Sequence, residues 1–284
     1  MAIITFWSPD RGRGNSANAA AVGTLLGLEY DLRTLMVQTQ QRGGDLQGAF
    51  AKSKELQLKN FVNTATLGLD ALERLLKTKR LTPESISNHS ISLEPGRLDL
   101  LLGTNKQSRA YQDHCYREEL SRMLPLLFEQ ANRYYQAIIL DVCSGFENPV
   151  TNRLLEQSDL IVISLGQETD GIERCMRPQF WRESLQHKPK LILLSQYDSR
   201  SKYSLVNLKR TYRIQGPILT VPYLSAYRDA INDKDVLSWF RRTRHVGRRH
   251  DSYSFISDVQ RITEEILTQV GVNTNVKRIE RGIS

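Results

Sequence analysis

Short apolar runs set the strongest limit on what this chain can fold into. They fall at Ile3–Trp7, Thr34–Val37, Leu98–Leu102, Ala137–Leu140, Leu160–Leu165, Lys190–Leu194 and Ile218–Val221. Several are continuous stretches of Ile, Leu and Val rather than alternating ones, as strands covered on both faces require. Helix-length segments separate them, at Asn18–Glu29, Asn60–Lys77, Tyr116–Tyr135, Pro149–Gln157 and Gly171–Leu185. This alternation predicts an α/β fold of three layers, a mostly parallel sheet with helices on both faces. A last helix is expected over Tyr253–Val270, where apolar residues recur at helical spacing and would pack on the core. The chain has 284 residues, 40% hydrophobic and 25% charged, enough for a sizeable core. No linker divides it. Residues 1–270 read as one domain and 271–284, poor in apolar mass, as a flexible tail.

The first run leads directly into Asp10-Arg-Gly-Arg-Gly-Asn-Ser16 and then into a small-residue helix at Asn18-Ala-Ala-Ala-Val-Gly-Thr-Leu-Leu. A strand, a glycine loop and a helix N-terminus in that order can cradle phosphate oxygens with backbone N–H groups. The lysine such a loop needs is missing. Two readings of Gly12 and Gly14 stand together: they cradle an anion, or they only let a strand turn into a helix. Asp141 likewise either holds a metal ion or caps a neighbouring helix.

Further segments give the loop a context. Tyr135-Gln-Ala-Ile-Ile-Leu-Asp-Val-Cys-Ser-Gly145 is an apolar run ending in Asp141, with Gly145 four residues on. With Leu98–Thr104, Thr151–Ser164 and Pro222–Asn232, it resembles the MinD/ParA family of deviant P-loop ATPases over most of residues 1–240. That family's loop reads roughly Lys-Gly-Gly-x-Gly-Lys-Thr. Gly12, Gly14 and Ser16 fit it, while Asp10 and Asn15 stand at its two lysines. Gln38 and Gln40 occupy its second acidic element. The resemblance implies a P-loop NTPase-like fold and ATP or ADP with Mg²⁺ as ligand. It implies a nucleotide site at Arg11, Gly12, Arg13, Gly14, Asn15, Ser16, Ala17, Asp141, Gly145 and Tyr223, with Ser16 and Asp141 holding the magnesium. Losing one charge that stabilises phosphoryl transfer costs on the order of 10³–10⁵ in rate. With two lysines and two carboxylates replaced, the expectation is a positioning or assembly scaffold with weak or absent hydrolysis, similar to the CpaE/TadZ type that localises pilus or secretion machinery. A homodimer and a protein partner follow from the same resemblance.

Two alternatives remain open at this stage. Arg11 or Arg13 could replace the loop lysine, since arginine grips phosphate through a planar fork, giving an active ATPase. The net charge of +8 suits an anionic partner. The segment Trp239-Phe-Arg-Arg-Thr-Arg-His-Val-Gly-Arg-Arg-His250 could bind nonspecific DNA or an anionic surface through Arg241, Arg242, Arg244, Arg248 and Arg249. Other classes lack support. The five histidines form no metal-ligand spacing, and no G-x-S-x-G nucleophile pattern occurs. No apolar run is long enough to span a membrane. Three scattered cysteines, Cys115, Cys143 and Cys175, suit a reducing compartment, so a cytoplasmic address is expected.

Overall fold

The computed structural model describes residues 1–39, 45–53, 66–105 and 114–272. Eight strands form one sheet: β1 (Ala2–Trp7), β2 (Thr34–Gln38), β3 (Ile91–Glu94), β4 (Leu98–Leu101), β5 (Ala137–Asp141), β6 (Leu160–Leu165), β7 (Lys190–Tyr197) and β8 (Ile218–Pro222). Their order across the sheet is β3-β4-β2-β5-β1-β6-β7-β8. Every neighbouring pair is parallel except β3 with β4. The described helices are α1 (Asn15–Glu29), α2 (Asp45–Gly48), α3 (Leu69–Lys77), α4 (Pro83–Asn88), α5 (His114–Ala131), α6 (Pro149–Gln157), α7 (Thr169–Met176), α8 (Glu183–Gln186), α9 (Leu205–Tyr212), α10 (Ser225–Asn232), α11 (Val236–Thr243) and α12 (Tyr253–Gln269).

Successive strand residues point to opposite faces, and the core splits accordingly. Ile4, Phe6, Met36 and Ile139 pack with α1, α11 and α12 on one face. Trp7, Leu35, Val37, Ile138 and Leu140 pack with α5 and α6 on the other. The expected three-layer α/β fold is present. All seven expected strands form. The eighth, β3, escapes the apolar-run signal because this short antiparallel edge strand buries only alternate residues.

Two helix expectations need correction. The segment Gly171–Leu185 is broken into α7, a single 3₁₀ turn at Pro178–Phe180, and α8. Pro178 lacks the N–H that a continuing helix would need and disfavours helical geometry in Arg177, which is extended at ψ 123. The Asn60–Lys77 helix starts only at Leu69, after Gly68 at φ 77; positions 60–65 lie outside the described residues. So do Gln40 and the 273–284 part of the proposed tail.

Helix α1 lies deepest among the described helices, with every residue from Asn18 to Glu29 buried. Gly23 and Gly27, four apart on one face, let it approach the sheet closely. A Cβ on Gly23 would overlap Met36 Sδ, and one on Gly27 would sit 2.6 Å from Leu98 Cβ. Gly27→Ala therefore adds helix propensity worth up to ~1 kcal/mol but incurs overpacking of about 1–3 kcal/mol. The expected net result is a lower urea midpoint; an unchanged or higher midpoint would contradict this packing.

Candidate functional site

β1 lies between β5 and β6, and the chain crosses to opposite sides of it when it forms β2 and β6. In parallel sheets such a reversal opens a crevice beyond the carboxyl ends of the strands. The glycine loop, residues 8–14, occupies that position. Registers align Phe6 of β1 and Gln38 of β2 with Asp141 of β5, so the loop leaves the sheet beside the Asp141 carboxyl. Gly12 and Gly14 have φ of 76 and 70, a left-handed backbone that glycine adopts without strain. Gly14 is also the cap position of α1, and no side chain caps the first-turn N–H groups. Those donors, at the positive end of the helix dipole, suit an anion.

Asn15, where the resemblance places a lysine, turns inward. Its Nδ2 donates to the Phe6 carbonyl and to Asp141 Oδ1, both at 2.9 Å, and its Oδ1 accepts from Ser164 Oγ at 3.2 Å. Asn18 continues the network, donating to Ser164 Oγ at 3.0 Å and Ser195 Oγ at 2.8 Å. Asp141 thus lies beneath the loop, held by Asn15 and by the Ser16 hydroxyl. Burial pushes its carboxyl up to about 7, against the downward pull of the Ser16 and Asn15 hydrogen bonds, while the charge of Asp45 adds to the rise.

A cavity of about 680 Å³ opens above the loop. Its walls are residues 10–17, Asp45 and Ala49, residues 142–144, Gln196, and Arg228, Ile231 and Asn232 of α10. Arg11, Gly12, Arg13, Gly14, Asn15, Ser16 and Ala17 are thereby brought together. Gly145 stands off this wall: at φ 74 it donates its N–H to the Ser8 carbonyl and accepts from Trp7 Nε1 at 3.0 Å. Tyr223 is half-exposed and lines an adjoining cavity of about 170 Å³, which shares Gly14, Ala17 and Gln196 with the first. Gln38 is buried, and its carbonyl accepts from the Gln47 N–H, holding α2 in place.

Sequence reasoning missed Asp45, which brings a carboxylate to the cavity that the amides at Gln38 and Gln40 had seemed to remove. It also missed Arg228, although 228, 231 and 232 have the i, i+3, i+4 spacing of one helix face. The cation readings change as well. Asp10 pairs with Arg174 of α7 at 2.5 Å, and Arg13 with Glu168 at 2.5 Å. Arg11 and Arg228 make no ion pair among the described residues. In the basic segment, Arg241 binds Glu94, Arg242 lies 4.0 Å from Asp235, and Arg244 donates to the Leu28 carbonyl. Arg248 and Arg249 stay exposed. Trp239 and Phe240, the aromatic pair that heads this segment, are buried against Tyr227 and Phe255. Their apolar area is worth more in the core than at a wet surface. Tyr227 in turn donates to the Ala17 carbonyl at 2.6 Å, fixing the first turn of α1.

No protein-family model and no curated protein sequence matches this chain. Solved structures do. A plasmid partition protein (BB_S35) from Borrelia burgdorferi B31, bound to AMPPNP, superposes with a TM-score of 0.70 at 16% identity, covering 94% of this chain and 99% of its own. A ParA family ATPase from Chlorobium tepidum TLS gives 0.67 at 18% identity, covering 93% and 98%. The septum site-determining protein MinD from Pyrococcus horikoshii OT3, complexed with Mg-ADP, gives 0.66 at 15% identity, covering 95% and 98%. The chain therefore has the ParA/MinD type of P-loop NTPase fold. Among the described residues no helix is long and apolar enough to cross a membrane, and no group of three or more His, Cys, Asp or Glu could hold a metal ion.

The Asp141 shift has a consequence for stability. With its carboxyl raised from 3.8 to about 7, the folded state holds more protons than the unfolded state between these values, so stability falls as pH rises through that window. Without magnesium, Asp141→Asn should raise the melting temperature at pH 8, and the gain should shrink towards pH 4. Thermal melts of both proteins across this range check it; a gain that is constant with pH would refute the assignment.

Proposed function

We propose that this chain binds a nucleoside di- or triphosphate with Mg²⁺ above the glycine loop, hydrolyses it weakly or not at all, and acts as a positioning or assembly scaffold. The observation that carries the reading is the inward turn of Asn15. It leaves the loop curved and the first turn of α1 uncapped, while withdrawing the side chain that would carry charge to a phosphate. The phosphates would lie on the N–H groups of Gly12 to Ala17, with Arg11 and Arg228 as counter-charges. Magnesium prefers oxygen ligands, and the Ser16 hydroxyl with Asp141 behind it offers them. When bound, the ion would neutralise phosphate charge. The base would fit the smaller cavity beside Tyr223 and Gln196.

Weak hydrolysis follows from the electrostatics. In phosphoryl transfer a positioned cation stabilises charge as it develops, and a neutral amide tied to three other groups does not. The partition and septum-site roles named for the similar structures support a positioning role. A dimer, a protein partner and one domain over residues 1–270 complete the proposal, with placement of pilus or secretion machinery as its most specific form. A second reading, an active ATPase, is favoured by Arg11 alone, which lines the cavity free of any ion pair among the described residues.

Titration with ADP or ATP decides the matter when phosphate release is followed in the same sample. Saturable binding strengthened by Mg²⁺, with release no faster than in buffer, is the expected result. Ser16→Ala should remove most of the magnesium enhancement while leaving metal-free binding in place. Absence of saturable binding would overturn the proposal, and phosphate release abolished by Asp141→Ala would establish the second reading instead.

A further inference from the structure

The glycine loop is strapped to one helix by two ion pairs of opposite polarity. Asp10, before the glycines, takes Arg174 near the end of α7; Arg13, between them, takes Glu168 at the start. The second pair sits on a boundary. Arg13 lines both the 680 Å³ cavity above the loop and a neighbouring cavity of about 360 Å³, whereas Glu168 lines only the latter. The carboxylate thus draws the guanidinium towards the outer side of the loop. Gly166 makes room for this: a Cβ there would overlap Glu168 and sit 3.1 Å from Arg13 Nη1.

We infer that Glu168 is an internal competitor for phosphate, holding Arg13 away from the ligand until an anion in the main cavity displaces it. The inference rests on the polyphosphate reading of that cavity. Physically, one guanidinium has two alternative anions. Its fork geometry matches a phosphate as well as a carboxylate, so the exchange keeps the charge-assisted hydrogen bonds and changes only the partner. The Arg13 and Glu168 side chains are 31% and 59% exposed, which makes the pair weak and the exchange easy. No covalent step is involved. Glu168 thereby sets the affinity of the site without touching the ligand, which makes it a positioning residue. Its release also loosens one of the two ties between the loop and α7, so the occupied and empty states differ at that helix.

The test is an equilibrium titration of the full chain with Mg·ADP and, separately, with inorganic tripolyphosphate. Glu168→Gln should tighten both by roughly threefold to fivefold, the upper end of what removing a competing, partly exposed ion pair gives. Arg13→Gln in the same background should cancel the gain. Asp170→Asn, which removes an equal charge from α7 without touching Arg13, serves as the control and should leave affinity within about twofold. Equal affinity of wild type and Glu168→Gln, or an equal gain from Asp170→Asn, would overturn the inference while leaving the nucleotide reading intact. Binding by Glu168→Gln alone would support it strongly. Failure of both proteins to bind either probe would overturn the nucleotide reading and the inference together.

Discussion

Asn15 is bound to three adjacent strands at once: to the Phe6 carbonyl of β1, to Asp141 of β5 and to Ser164 of β6. Those strands are the centre of the sheet, and the loop can leave it in only one direction while all three bonds are made. The start of α1, the aim of its open N–H groups and the contact between Ser16 and Asp141 follow from that restraint. Each such bond contributes about 1 kcal/mol net, but an orphaned buried partner costs about 1–3 kcal/mol, so the set is strongly preferred as a whole. A lysine in this position could not accept from Ser164. The amide is therefore a structural part of the loop as well as a substitute for a charge.

Around this neutral centre the charges are arranged in pairs. Asp10 and Arg13 are satisfied by α7, and Asp141 is sealed below the loop. Arg11, Arg228 and Asp45 are left facing the cavity. Repulsion between Asp10 and an incoming phosphate is smaller than the sequence suggests, because Arg174 offsets it at 2.5 Å. Likewise the run of arginines from 241 to 249 is less of a surface feature than its composition implies, since Arg244 extends inward to the end of α1.

The layers and the passage from first strand through glycine loop to helix were legible because continuous apolar runs and a strand–glycine–helix junction are local signals; the order of the strands was not. Asp141 and Ser16 could be paired only through the family resemblance, which implies a shared magnesium site for them. What could not be read were partners distant along the chain. Nothing near Asn15 announces Ser164, and nothing near Arg13 announces Glu168. Gln38 could be recognised as uncharged, but not as the anchor of Gln47. Trp239 and Phe240 look like an exposed aromatic pair beside arginines until Tyr227 and Phe255 close over them. Asp45 follows the stretch from 40 to 44, where periodic patterns give no guidance.

The depth of α1 sets how the molecule can respond to a ligand. Helix α1 is held to the sheet by Gly23 and Gly27 and roofed by α11 and α12, so it works as a fixed post. Force applied at its first turn cannot be relieved by sliding the post. Its first turn is tied sideways, to α7 through the ion pairs of the loop and to α10 through the Tyr227 hydroxyl on the Ala17 carbonyl. These helices lie against opposite faces of the sheet, so the start of α1 is the point at which both layers of helices meet the glycine loop.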